Sequence, residues 1–520
     1  MNKRHAGILL HPTSLPGPNG IGELGYAAYR FVDWLEQAGI TAWQIMPLTP
    51  TGFGDSPYAS PSAFAGNPNL ISLEWLIDAE LLSPSDLAPF EGLSADRVDF
   101  STLIPLRRDV LRKAFDAWTW RDGRAGEEYR AFVAQHEVWL DDFALYSAIS
   151  DEAGTGAWVA WDESLRRRDP DALRAARERL SDEWEFHAFL QFLFRRQWSA
   201  LKTYANDRGI EIIGDIPIFV AYDSADVWAN QSLFQLSEDG SPIAVAGVPP
   251  DYFSADGQLW GNPAYDWNAM RGTGFRWWIE RVRTTFELVD FARIDHFRGL
   301  AASWNVPYPA DSARGGRWVQ GPGKELFDAI ETALGTIRII VEDLGIITQD
   351  VHLLRHELGF PGMKVLQFAF DGDPANLYLP HNFDRNCVVY TGTHDNDTTT
   401  AWFQHLDWDA QERVRGYLGR DGSDIAWDLI RLAYSSVADL AIVPLQDVLR
   451  LSSDARMNIP GAAQGNWGWR FREDALTGGL ADGLRLFASQ YHRLTDTGRP
   501  TGFDPYDYTA PGTAHPLNQE

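Results

Sequence analysis

Eight short apolar runs punctuate the chain: Gly7–Leu10, Thr41–Met46, Ile210–Asp215, Val289–Asp295, Ile337–Glu342, Lys364–Phe370, Cys387–Tyr390 and Leu440–Pro444. Several are nearly continuous Ile, Val and Leu, the pattern of parallel strands buried on both faces. Eight is the number a closed β/α barrel requires, and helix-like segments lie between many of the runs. The clearest of these spans Ser181 to Arg208. Asp182 and Glu183 stand in its first turn, where the helix dipole favours negative charge, and Gly209 follows its end. An open doubly wound sheet is the competing architecture. It loses ground because His11-Pro12-Thr13-Ser14 follows the first run, where a dinucleotide fold would have a glycine-rich turn.

Three of the runs lead into acidic motifs: ARIDHFRG (292–299), IIVEDLG (339–345) and TGTHDNDT (391–398). They place Asp295, Glu342 and Asp395 at the C-terminal ends of buried strands. In a parallel barrel these ends converge on one mouth, however far apart they are in sequence. Most Asp and Glu are exposed loop acids, but three at apolar strand ends fit that reading poorly. Like charges gathered in a concave site repel and raise at least one pKa, which a structure built only for stability would avoid. Retaining glycoside hydrolysis and transfer require such a cluster, with one ionised nucleophile and one protonated acid. Arg293 precedes Asp295 by two, so both side chains share one strand face, and a guanidinium there favours the ionised carboxylate. The His and Asp spacing matches no zinc-protease pattern, and no metal is expected.

At 520 residues the chain exceeds the usual barrel length, so insertions must account for the remainder. The largest gap between strands, about 67–200, reads as a helical subdomain inserted after the second strand, with Ala125–Ala148 among its helix candidates. A second insertion, about 219–280, is rich in Gly, Pro and aromatics and reads as a loop or lid. No long Gly/Ser linker or repeat is present, so one catalytic barrel over 1–520 is expected. The 45 Lys+Arg against 72 Asp+Glu leave a net charge of −27, which disfavours nucleic acid and anionic membranes as partners. A neutral substrate fits best. The 22 Trp, 17 Tyr and 28 Phe are many; most must be core, but an excess of Trp on Gly/Pro-rich loops suits a ligand with flat apolar faces and hydroxyl rims, such as a glucan. Cys387, the single cysteine, lies in an apolar run and reads as a buried core residue. The apolar run near the start stops at His11-Pro12, too short for a signal peptide or a membrane span, so a cytoplasmic protein is expected.

Nearly end to end, the chain resembles the 4-α-glucanotransferases of the amylomaltase or disproportionating type, glycoside hydrolase family 77 of the α-amylase clan. HPTSLPG (11–17), GDSPYASPSAFAGNP (54–68), GDIPIFV (214–220), GVPPDYFSADGQLWGNP (247–263), the three carboxylate motifs and GNWGWRF (465–471) carry the likeness. It implies a (β/α)8 TIM barrel with inserted, largely helical subdomains and no C-terminal β-domain. It also implies no cofactor. Asp295 resembles the nucleophile, Glu342 the general acid/base and Asp395 the third family carboxylate, which holds sugar hydroxyls and a distorted ring. His296 and His394 resemble hydroxyl-binding histidines, and Asp215 the site-lining Asp of the clan. After Asp215, Ile216-Pro217-Ile218-Phe219 replaces the Asn-His typical of α-amylases. Tyr58, Asp251 and Trp260 resemble the acceptor side and its covering loop, and Asn466 the completion of the donor groove. Phe53 stands where some relatives have Tyr, keeping the stacking face without the hydroxyl. The activity implied is transfer of α-1,4-glucan segments to the 4-hydroxyl of another glucan, a maltooligosaccharide or glucose. An α-amylase-type hydrolase is the alternative, and a silent glucan-binding protein is a more distant one.

Overall fold

The computed structural model describes residues 4–250, 255–345 and 347–494. Twelve strands run along the described chain: β1 (His5–Leu9), β2 (Ala42–Gln44), β3 (Glu211–Pro217), β4 (Ala244–Val248), β5 (Gln258–Pro263), β6 (Phe291–Asp295), β7 (Ala302–Pro307), β8 (Arg317–Gln320), β9 (Ile339–Val341), β10 (Gly362–Val365), β11 (Cys387–Tyr390) and β12 (Leu440–Pro444). Eight of them close into a parallel barrel in the order β1-β12-β11-β10-β9-β6-β3-β2. Each is one of the eight apolar runs, and helices surround them, giving a (β/α)8 TIM barrel. Among the described residues no strand follows Pro444.

The pleat decides which residues reach the site. Leu9, Ile213, Phe291, Ile340, Val365, Val388 and Ile442 form the packed interior of the barrel. Successive strand residues point to opposite faces, so two further along each strand the chain again points inward. Ile213 is thus followed on the inner face by Asp215, Phe291 by Arg293 and Asp295, and Ile340 by Glu342. Ala292, Ile294 and Val341 belong instead to the layer between barrel and helices. A local rule of period two therefore lifts the charged residues above a sealed apolar plug.

The helix expected over Ser181 to Arg208 is Ser181–Asp207, with Gly209 in the left-handed region (φ 72°) just beyond it. It packs against β3 and against the helix Tyr26–Gln37. Between β2 and β3 the chain is otherwise helical, including Phe100–Trp120 and Pro170–Arg179. The single helix expected over Ala125–Ala148 is broken into Glu127–Gln135 and Glu137–Ala153 at His136, whose backbone (φ −107°, ψ 12°) leaves the helical region. His136 is buried there against Phe132 and Trp139, which rewards the break. The run Lys364–Phe370 is only partly strand. β10 ends at Val365, and Leu366–Phe368 makes one tight turn.

The sequence reading missed a second sheet. β5, β4, β7 and β8 form a four-stranded antiparallel layer in that order, with β4 paired to β7 from Ala244↔Pro307 to Gly247↔Trp304. Half of it comes from the 219–280 segment and half from the chain just after β6. Its edge strands are exposed, β5 over Gln258–Gly261 and β8 over most of Arg317–Gln320, so neither carries the apolar run that marks a barrel strand. The same 219–280 segment also runs into the helix Arg276–Leu288, which packs on β3 and β6.

Candidate active site

At the C-terminal mouth of the barrel a cleft of about 760 Å³ is lined by Tyr58, Phe219, Trp260, Asp295, His394, Asp395, Asn458 and Trp467, with Phe53 at one margin. Below its floor the Arg293 guanidinium is almost wholly buried. Nη1 donates to Asp215 Oδ2 at 2.5 Å, and Nη2 donates to Asp295 Oδ1 at 2.7 Å. Nε lies 3.3 Å from the Met363 sulfur. One rigid fork thus joins carboxylates from two strands, a task that the planar guanidinium performs and a lysine would not. The Asp215 side chain is 1 % exposed, that of Asp295 32 %. The first is therefore a supporting anion, and the second is presented to the cleft.

Tyr58 donates its hydroxyl to Asp215 Oδ2 at 2.8 Å. Burial raises the Asp215 pKa to about 6, against the opposing pull of Arg293 and Tyr58, so the group remains ionised at neutral pH. Its Oδ1 is buried without a protein partner. Burial and the neighbouring Asp215 push the Tyr58 hydroxyl well above its ordinary range, which keeps it a donor.

Glu342 stands one residue past β9. Its Oε2 accepts from the His296 N–H and its Oε1 from the Leu344 N–H, both at 2.7 Å. His296 can aim its N–H this way because its backbone is left-handed (φ 52°), a conformation uncommon outside glycine and typical of functional sites. Burial, and then the charge of Asp295, raise the Glu342 pKa to about 7, while Arg293 and the two N–H groups oppose the shift. A carboxyl poised near neutrality can both give and take a proton. Burial lowers the His296 pKa to about 4, so its imidazole is neutral and can donate and accept. Trp260 meets that imidazole edge to face, with centroids 4.7 Å apart, and its indole N–H donates to Gln258 Oε1 at 3.1 Å.

Asp395 is held from the other side of the cleft. Asn458 Nδ2 donates to its Oδ1 at 2.6 Å, Arg456 Nη2 to its backbone carbonyl at 2.6 Å, and His394 Nε2 lies 3.3 Å from Oδ1. The His394 ring stacks on Tyr58, and Trp467 tilts against both. Beside His394 lies a small space lined by His11, Ser14, Thr393 and Asp447. Burial takes the His11 imidazole down to about 3, hence neutral.

The barrel therefore brings together Asp215, Arg293, Asp295, His296, Glu342, His394, Asp395, Tyr58 and Trp260. Asp251 lies outside the described residues. Asn466 is placed differently from the rest: its amide serves its own loop, with Oδ1 accepting from the Ile459 N–H at 3.0 Å and Nδ2 donating to the Ala462 carbonyl at 2.9 Å. What it delivers to the cleft is the next residue, Trp467, in a left-handed backbone (φ 63°). Asn458 and Arg456 escaped the sequence reading because RMNIP (456–460) has no strand-like apolar run and no charge pattern to mark it. Among the described residues one further group has ligand spacing for a metal, Asp151, Glu183 and His187 in the helical region. Arg108 holds Asp151 through two bonds, and Arg112 pairs with Glu183, so guanidinium charge already fills the place a cation would take.

Inward carboxylates at the mouth of a β/α barrel, one on a guanidinium fork and one poised near neutral pH, define an enzyme that breaks and remakes glycosidic bonds. Comparison with known proteins makes the class specific. The family profile described as 4-alpha-glucanotransferase, glycoside hydrolase 77, matches residues 10–477, and the chain belongs to this family. A 4-alpha-glucanotransferase from Synechocystis sp. is 50% identical over 498 residues, which span 95% of this chain and 99% of the relative. One from Thermus thermophilus is 47% identical over 502 residues, 94% of this chain and 99% of the relative. The amylomaltase from Streptococcus agalactiae, solved in complex with acarbose, superposes with a TM-score of 0.92 at 41% identity, over 95% of this chain and 100% of that one. The chain is a transferase that moves glucosyl units between α-glucans, and the hydrolase alternative is not favoured. No helix among the described residues is long and apolar enough to cross a membrane.

Proposed function

We propose that the chain disproportionates α-1,4-glucans by double displacement, with Asp295 as nucleophile and Glu342 as acid/base. The observation that carries this reading is the Arg293 fork, which presents Asp295 to the cleft while Glu342 lies close enough for the two charges to act on each other. In the first step an Asp295 oxygen attacks C1 of the donor sugar. The C1–O4 bond breaks, and its electron pair takes the proton from Glu342. In the second, Glu342 removes the proton of an acceptor 4-hydroxyl, that oxygen attacks C1, and the bond to Asp295 breaks. The acceptor is a maltooligosaccharide, a longer glucan or glucose, in preference to water.

In this reading Asp395, His296 and His394 hold sugar hydroxyls, and Asp215 and Tyr58 keep Arg293 in place. Trp260 stacks on the acceptor, while the Asn466 amide secures the loop that presents Trp467. The role of Asp251 rests on the resemblance alone. The segment 67–200 acts as an inserted helical subdomain and 219–280 as an inserted loop or lid region beside the cleft. The acarbose bound by the S. agalactiae neighbour supports a saccharide ligand. The single cysteine and strong negative charge suit a cytoplasmic enzyme acting on a neutral polymer.

The test is a trapping experiment. Glu342→Gln with an α-glycosyl fluoride, whose leaving group needs little protonation, is expected to accumulate a glycosyl ester on Asp295, visible by peptide mass spectrometry. An adduct on any other carboxylate overturns the assignment.

A further inference from the structure

The cleft extends well beyond the reacting centre. From Trp260 it continues past Gly261 and Asn262 to Asp223, Pro242 and Tyr308. Tyr308 directly follows β7, and its N–H donates to the Ile243 carbonyl at 3.0 Å, which fixes its backbone to the strand beside β5. The residue is 49% exposed. Neither its hydroxyl nor the Asp223 carboxylate has a hydrogen-bond partner among the described residues. Tyr222, whose own hydroxyl is committed to the Gly240 carbonyl, stands within reach of the Asp223 charge. Asp223 is exposed at the cleft, and partial desolvation there raises its carboxyl above its ordinary value.

Geometry sets how far this pair is from the chemistry. Trp260 lies in β5 and Tyr308 just past the end of β7, two strands away in the same sheet, with an offset of about three residues along the strands. At strand spacings of roughly 5 Å and rises of roughly 3.3 Å, this places the two backbones on the order of 15 Å apart. That exceeds one sugar ring and matches a short oligosaccharide lying along the sheet. An exposed aromatic face next to an uncommitted carboxylate offers what a pyranose needs: an apolar plate for its ring hydrogens and an acceptor for its hydroxyls.

We propose that Tyr308 and Asp223 form a remote subsite that binds the far end of a maltooligosaccharide acceptor and sets the preferred acceptor length. This rests on the reading of the Trp260 wall as the acceptor side. The backbone anchor favours the assignment, because the main chain at Tyr308 is already ordered and only its side chain loses freedom on binding. Glucose and maltose are too short to span from the reacting centre to Tyr308. Longer acceptors reach it and gain the stacking contact.

The experiment measures transfer from one fixed donor to glucose, maltose and the maltooligosaccharides up to maltoheptaose, in wild type, Tyr308→Ala, Tyr308→Trp and Asp223→Asn. For the long acceptors, Tyr308→Ala is expected to raise KM roughly three- to tenfold, with kcat and the glucose reaction unchanged. Tyr308→Trp is expected to restore the long-acceptor KM, which a merely structural role would not produce. Asp223→Asn is expected to act in the same direction as Tyr308→Ala, more weakly. Identical acceptor profiles for wild type and Tyr308→Ala overturn the proposal, as does an equal loss at every length. A profile altered with donor length and not with acceptor length also overturns it. Trp260→Ala assayed in parallel separates the two readings: if it leaves acceptor use unchanged, the acceptor wall is misplaced whatever Tyr308 does.

Discussion

Arg293 Nη2 and Asp295 Oδ1 are 2.7 Å apart, on side chains that leave the same face of β6 two residues from one another. The fork orients the carboxylate and supplies the positive charge beside it. Because the guanidinium also holds Asp215, the strand face and its neighbour β3 are coupled through one buried cation.

Removing that cation should cost stability as well as activity. Arg293→Gln leaves the Asp215 carboxylate buried and unpaired, a situation that destabilises by about 3–5 kcal/mol. Denaturant unfolding is expected to show a loss of that order, and Asp215→Asn added to Arg293→Gln is expected to recover much of it. Equal stability of the single variant and wild type would mean that Asp215 is neutral in the folded protein.

Asp295→Ala behaves differently, because its side chain is partly solvated and Arg293 keeps Asp215 as a partner. Transfer and residual hydrolysis of maltotriose are both expected to vanish, while the melting temperature stays within a few degrees of wild type. Substantial product from a homogeneous sample removes Asp295 from the nucleophile role.

The raised pKa of Glu342 gives two pH signatures with definite sign. The acid role requires the proton, so kcat/KM is expected to fall as pH rises through about 7, the value of the folded group. For stability, the folded pKa lies above the ordinary 4.5, so the native state binds the proton more tightly than the unfolded chain. Glu342 thus contributes stability that is fully present below pH 4.5 and is lost as pH rises to about 7. Glu342→Gln removes this titration but turns an amide N–H toward a backbone N–H. The difference in melting temperature, variant minus wild type, is therefore expected to rise between pH 4.5 and 7 whatever its value at the acid end. A flat difference across that window contradicts the assignment.

The proposed role of Trp260 is to favour a glucan over water as acceptor. Its indole is 37% exposed and braced edge-on by His296, so one face remains available for an acceptor sugar. Loss of about 1.4 kcal/mol of stacking in Trp260→Ala weakens acceptor capture roughly tenfold and leaves attack by water nearly unchanged. The ratio of new reducing ends to elongated products from maltotriose is expected to increase, with total turnover falling. An unaltered ratio with a lower melting temperature makes Trp260 a loop anchor.

Barrel strands are legible in sequence because burial on both faces demands an unbroken apolar run, and Ile210–Asp215 or Leu440–Pro444 has no other reading. The same local periodicity put Asp295 and Glu342 on the inner face, and charge in an apolar run marked them for chemistry. What the sequence alone could not set was everything that depends on partners distant along the chain. β4 and β7 are 63 residues apart at their first paired positions, Ala244 and Pro307 being joined from opposite sides of β6 by backbone bonds that leave no pattern in side chains. His136 breaks a helix for the sake of packing that only the folded subdomain supplies. Asn466 belongs to a motif that signals a groove, yet its amide is spent on Ile459 and Ala462, and the groove receives Trp467. Local hydrophobic period is a property of each segment and survives in one dimension. The partner of a polar side chain is a property of the closed chain, and tertiary structure alone decides it.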